Sequence, residues 1–87
     1  MNGRAIILAD GTKLPGSECG LAEGVLWCYL SDLTMMQAFS LLADPNKTQV
    51  ITFQYGEMQD TFEGYTQLIA AILAQDGKIH VALREGE

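Results

Sequence analysis

Apolar and polar positions along the chain fall into short runs broken by glycine, proline and Asp-Gly pairs. This spacing predicts β-strands joined by tight turns, because side chains on a strand point alternately to its two faces. Arg4 to Ala9 reads as a first strand, Asp10-Gly11 as a two-residue turn and Thr12 to Leu14 as the return. Asp-Gly tolerates the positive φ that a type I′ turn needs. Pro15-Gly16-Ser17 breaks that strand, and glycine-bearing Cys19 to Gly24 reads as a loop. Val25 to Leu30 is the next strand, with Val25, Trp27 and Tyr29 on one face and Leu26, Cys28 and Leu30 on the other. Both faces are apolar, so both should be covered.

The period then changes. Thr34 is a good N-cap with Gln37 as its capping-box partner. Met35, Met36, Phe39, Leu42 and Ala43 recur at helical spacing as a buried stripe. Asp44-Pro45 stops this helix, because the residue before proline avoids the α region, and Asn46-Lys47 completes a turn. Gln49 to Tyr55 returns to strand spacing with Ile51, Phe53 and Tyr55 towards the core, and Gly56 to Asp60 reads as a loop. Thr61 to Gln75 fits two templates. Tyr65, Leu68, Ile69, Ile72 and Leu73 match a helix stripe, whereas Asp76-Gly77 between two apolar runs is a hairpin signal. We read a long strand from about Phe62 to Ala74, followed by Lys78 to Arg84 with Ile79, Val81 and Leu83 inward. The expectation is one α+β domain over residues 1–87. It holds a twisted, mostly antiparallel sheet of about five strands in the order ββ-β-α-βββ, with one helix packed on one face.

Composition adds a second layer to this picture. Apolar residues make up 48% of the chain and charged residues 18%, a rich apolar share for 87 residues. Part of that surface is expected to lie on a second face that another chain covers. The net charge of −6 repels phosphate backbones and anionic lipid, so neither nucleic acid nor membrane is an expected partner. It suits either solubility or a basic protein surface. Only five apolar residues follow Arg4 before Asp10, too few for a signal peptide, and no run approaches the roughly 18 of a membrane span. A cytoplasmic location, or a place in something assembled there, follows as an expectation.

Candidate chemistry is sparse. Cys19, Cys28 and His80 are the soft ligands, but structural zinc needs four ligands, usually with two in a tight cysteine pair. No metal or cofactor is expected, and both cysteines are expected as thiols. No flanking motif makes a nucleophile of either cysteine with His80 as base, and no glycine-rich phosphate loop is present. Glu57, Asp60 and Glu63 gather around one loop, as solvated residues or as a contact for a basic partner. Trp27, Tyr29, Tyr55 and Tyr65 are the heaviest candidates for a partner surface, since aromatics carry much interface energy. If Leu26, Cys28 and Leu30 face the helix, Trp27 and Tyr29 face away from it. Either the sheet curls over Trp27, or a partner, a ligand or a closed second layer covers it.

The strings Tyr55-Gly56-Glu57-Met58, Phe62-Glu63-Gly64-Tyr65-Thr66 and Asp76-Gly77-Lys78, with Gly24-Val25-Leu26-Trp27 and Leu33-Thr34-Met35-Met36, span most of the chain. In them it resembles small uncharacterised proteins of phages and prophages in Gram-positive gut bacteria. The resemblance implies a phage-related origin, among minor virion parts, assembly factors and inhibitors of host defence, with a virion-associated location as the alternative to the host cytoplasm, and supports the strand reading of Phe62 to Ala74. The expected function is a non-enzymatic protein-interaction module that self-associates, as a homo-oligomer, or docks on a larger assembly. Two alternatives stand beside it: an acidic, anti-CRISPR-like inhibitor of a defence protein, and a small-molecule binder with an aromatic-lined pocket.

Overall fold

The computed structural model describes residues 3–86. Eight strands and two short helices follow one another: β1 (Arg4–Ile7), β2 (Lys13–Pro15), β3 (Glu18–Ala22), β4 (Val25–Leu30), α1 (Met35–Leu42), α2 (Pro45–Thr48), β5 (Val50–Tyr55), β6 (Met58–Glu63), β7 (Gln67–Leu73) and β8 (Ile79–Arg84). The chain is α+β as expected, but the strands form two four-stranded antiparallel sheets, β2-β1-β5-β6 and β3-β4-β8-β7. The single sheet of about five strands is corrected on this point.

The two halves of the chain run the same course. Each makes a hairpin in the first sheet, turns a short corner, and makes a hairpin in the second. The halves meet twice, with β1 against β5 and β4 against β8. Strand alternation then decides what fills the space between the sheets. Ile6, Leu14 and Ile51 point in from one sheet, and Cys19, Leu26, Cys28, Leu30, Ile79, Val81 and Leu83 from the other. Ala38 and Leu42 of α1 close the same core. Burial alternates along β4, with Leu26, Cys28 and Leu30 inward and the apolar Val25, Trp27 and Tyr29 half-buried on the outer face, and β8 sends Ile79, Val81 and Leu83 inward.

Gly64 explains why the expected strand over Phe62 to Ala74 divides. It takes a φ of 85°, which side-chain-bearing residues rarely adopt, and its N–H donates to the Gln49 carbonyl at 2.9 Å. The chain turns there, so residues before it end β6 in one sheet and residues after it begin β7 in the other. Strand wins over helix, but as two strands. The loops expected over Cys19 to Gly24 and Gly56 to Asp60 are also corrected. Cys19 to Ala22 pairs with β4, and Met58 to Asp60 pairs with β5. Asn46-Lys47 lies inside α2, which Pro45 opens at its first turn behind the Asp44 cap.

The Asp-Gly signals mark turns, each one residue longer than the two-residue turn expected at Asp10-Gly11. Leu8 N–H donates to Thr12 O at 2.8 Å, enclosing Ala9-Asp10-Gly11, with Gly11 at φ 92°. Ala74 to Lys78 repeats the arrangement at 2.9 Å around Gln75-Asp76-Gly77, with Gly77 at φ 84°. Three-residue hairpin loops of this kind place glycine at the left-handed position. The aspartate oxygens accept the Thr12 and Lys78 backbone N–H groups at 3.0 and 2.9 Å. These bonds are the first cause that lowers both Asp10 and Asp76 below the ordinary carboxylate pKa.

Helix α1 begins as read. Thr34 accepts the Gln37 N–H at 3.1 Å and donates its own N–H to the Gln37 side chain at 2.9 Å. The buried stripe is corrected: Ala38 and Leu42 face the core, while Met35, Met36, Phe39 and Ala43 are exposed. The helix rests against β7 and β8 at the margin of the sandwich, where one narrow face is enough to cover the core.

Candidate interaction surface

Register places each candidate residue on a definite face. On the outer face of the second sheet, Glu18, Tyr29, His80 and Ile72 form one cross-strand row, and Gly20, Trp27, Ala82 and Ala70 form the next. Trp27 is half-buried, and Ala82 beside it is only 1% exposed although it points outward. The sheet therefore covers part of its own tryptophan face. Tyr29 meets His80 edge-on, rings 4.7 Å apart and 85° between planes. His80 Nε2 lies 3.3 Å from Asp76 Oδ2. Glu18 Oε2 collects Arg4 at 3.0 Å and Lys78 at 3.5 Å, which joins the two sheets through a charged strip.

The other candidates do not join Trp27 and Tyr29. Tyr55 lies on β5, stacked on Phe53 at 4.8 Å, and its hydroxyl donates to Asp60 Oδ2 at 3.1 Å. That hydrogen bond to a carboxylate raises the Tyr55 phenol above its ordinary pKa. Tyr65 sits at the β6–β7 corner, half-buried against the core. The acidic group is split as well: Glu57 occupies the β5–β6 turn, and strand alternation sends Asp60 and Glu63 to opposite faces of β6.

The soft ligands are separated by the same alternation. Cys19 and Cys28 are direct cross-strand partners buried in the core, while His80 stands on the opposite face of its sheet. The Cys19 thiol across the strand pair, together with burial, pushes the Cys28 thiol pKa well up. No group of three or more metal-ligating side chains occurs among the described residues. Open clefts mark the surface. One of about 440 Å³ runs along α1 and is lined by Leu33, Thr34, Met36, Gln37, Ser40 and Leu41. Another, about 360 Å³, is lined by Arg4, Tyr55, Gly56, Glu57 and Met58.

The surface that residue-by-residue reading missed lies at α1 and the edge strand β7. Met35, Met36 and Phe39 are 38%, 82% and 55% exposed on the helix. Ile69, Ile72 and Leu73 are 42%, 55% and 68% exposed on the adjoining strand. The signal was present as missing charge: neither Leu33 to Ala43 nor Tyr65 to Gln75 contains an Asp, Glu, Lys or Arg. Apolar residues in an uncharged stretch read as core, and here they line the outside. No described helix is long and apolar enough to cross a membrane. Comparison with known proteins finds no matching family model, no matching curated protein and no matching solved structure.

Proposed function

We propose that this chain is a non-enzymatic protein-interaction module, acting by self-association or by docking on a larger assembly, and that the α1–β7 surface is what it offers. The observation that carries this reading is the run of large apolar side chains left exposed on adjoining elements, with no charge among them. Scattered exposed apolar residues are ordinary, whereas a contiguous group marks an interaction site. The test is light scattering after size exclusion over a range of concentrations, with stoichiometric co-purification from the host. Wild type should exceed its 9.5 kDa monomer mass or hold a stoichiometric protein, and Met36→Glu with Phe39→Glu should lose it. A 9.5 kDa monomer that holds no stoichiometric protein contradicts the reading.

A further inference from the structure

Four strands are sheet edges: β2 and β6 in the first sheet, β3 and β7 in the second. Natural sheets guard their edges with charge, proline, shortness or bulges, because a bare edge pairs with any other strand. Strand β2 is three residues long and holds Lys13 and Pro15. Strand β3 holds Glu18 and Gly20, and β6 holds Asp60 and Glu63. Strand β7, Gln-Leu-Ile-Ala-Ala-Ile-Leu, is the longest of the eight and has no charge, proline or glycine. Its bulge between Leu68 and Ala70 interrupts only its first half, and Ala70 to Leu73 pairs regularly with β8.

We propose that β7 pairs antiparallel with β7 of a second copy of this chain, joining two four-stranded sheets into one of eight. This rests on the interaction-module reading and names its partner. The charge distribution selects a second copy. In a twofold interface each residue near the axis meets its own kind, so a charge there faces its like. With −6 on each chain, self-pairing needs a neutral seam, and Tyr65 to Gln75 with Leu33 to Ala43 supplies one. A basic partner is drawn instead to the acidic β5–β6 hairpin.

The shape fits the same arrangement. With the axis at Ala71, Ile72 of each copy lies opposite Ala70 of the other, large against small on one face. The exposed apolar area approaches what such an interface needs. At roughly 200 Å² per large side chain, the exposed parts of Met35, Met36, Phe39, Ile69, Ile72 and Leu73 come to about 700 Å². A stable interface takes about 800 Å² from each partner, and the β7 backbone and Gln67 add to the total.

The test uses two variants of the full chain: Ala70→Lys with Ile72→Lys, and Ala70→Glu with Ile72→Glu. Both positions are exposed on the edge strand, so thermal melts should report a folded chain for each. Wild type should show twice the 9.5 kDa chain mass, each variant alone should run as a monomer, and an equimolar mixture should regain the dimer. A dimer that persists in either variant places the seam elsewhere and overturns the β7 pairing while leaving self-association standing. A wild-type monomer at every concentration overturns the second copy as partner, and the co-purification arm then decides the broader reading separately. A mixture that stays monomeric overturns the pairing register.

Discussion

Oxidation of Cys19 and Cys28 should staple edge strand β3 to central strand β4. The two residues are direct antiparallel partners and both are buried. Directly paired strand residues have Cβ atoms at about the separation a disulfide spans. With oxidised dithiothreitol as the reagent, the Cys19 thiolate attacks one sulfur and forms a mixed disulfide. The Cys28 thiolate then displaces the reagent, and dithiothreitol leaves with both thiols protonated. Burial makes the reaction slow, and the raised Cys28 thiol pKa slows the second step further. Local opening of the β3 edge sets the pace. The bridge closes a loop of on the order of 10 residues, for which chain entropy gives roughly 2.5–3 kcal/mol of stabilisation. In a domain of this size that corresponds to a rise of roughly 10–20 °C in Tm. Urea and thermal melts of the reduced and oxidised chain measure it, with thiol titration after unfolding and a non-reducing gel to confirm an intramolecular bond. Two titratable thiols remaining under excess oxidant, or an oxidised form that melts below the reduced one, would refute the register.

Three further outcomes follow from the packing. Leu26→Ala empties a fully buried position between the sheets and should cost about 2–5 kcal/mol by urea denaturation, a large part of the stability of such a domain. Thr34→Ala removes the side-chain oxygen that accepts the Gln37 N–H and should cost about 1 kcal/mol, read as a lower thermal midpoint, whereas Thr34→Ser should keep most of it. Asp10 and Asp76 have folded pKa values below 3.8, so they stabilise the fold above that value and the contribution fades as pH falls through the folded pKa values. The urea midpoint should therefore drop below about pH 4, less steeply in Asp10→Asn with Asp76→Asn; an unchanged pH profile in that variant contradicts the assignment.

Much of the fold was legible because local pattern and tertiary role agree. Strand β4 alternates in burial, β8 does so apart from Ala82, and their inward residues are the core. The Thr34–Gln37 box and the Asp44-Pro45 stop depend on neighbours in sequence alone, so they read correctly. The misreadings share a cause, which is that pairing decides structure where propensity is weak. Residues Cys19 to Ala22 include a glycine and no β-branched side chain, and are held as a strand by β4. Strand β6 is exposed along most of its length, so it carries no buried alternation to read. Nothing local in Phe62 to Ala74 tells that its halves belong to different sheets, except Gly64. The placement of the aromatics was hidden for a similar reason: Trp27, Tyr55 and Tyr65 are similar in type, but topology sends them to three places. The edge surface was visible as two uncharged stretches, and it took the strand order to show that they adjoin and lie outside.

The most direct measurement is site-resolved amide hydrogen exchange of the full chain at low and high protein concentration. Strand β7 has no neighbour beyond its outer edge among the described residues, so its outward amides should exchange quickly when dilute. If this edge is where the chain engages its own copy, protection across Ala70 to Leu73 should rise with concentration while the charged edge β6 stays unchanged. Exchange in β7 that is the same at every concentration, or protection that rises at β6 instead, would contradict it.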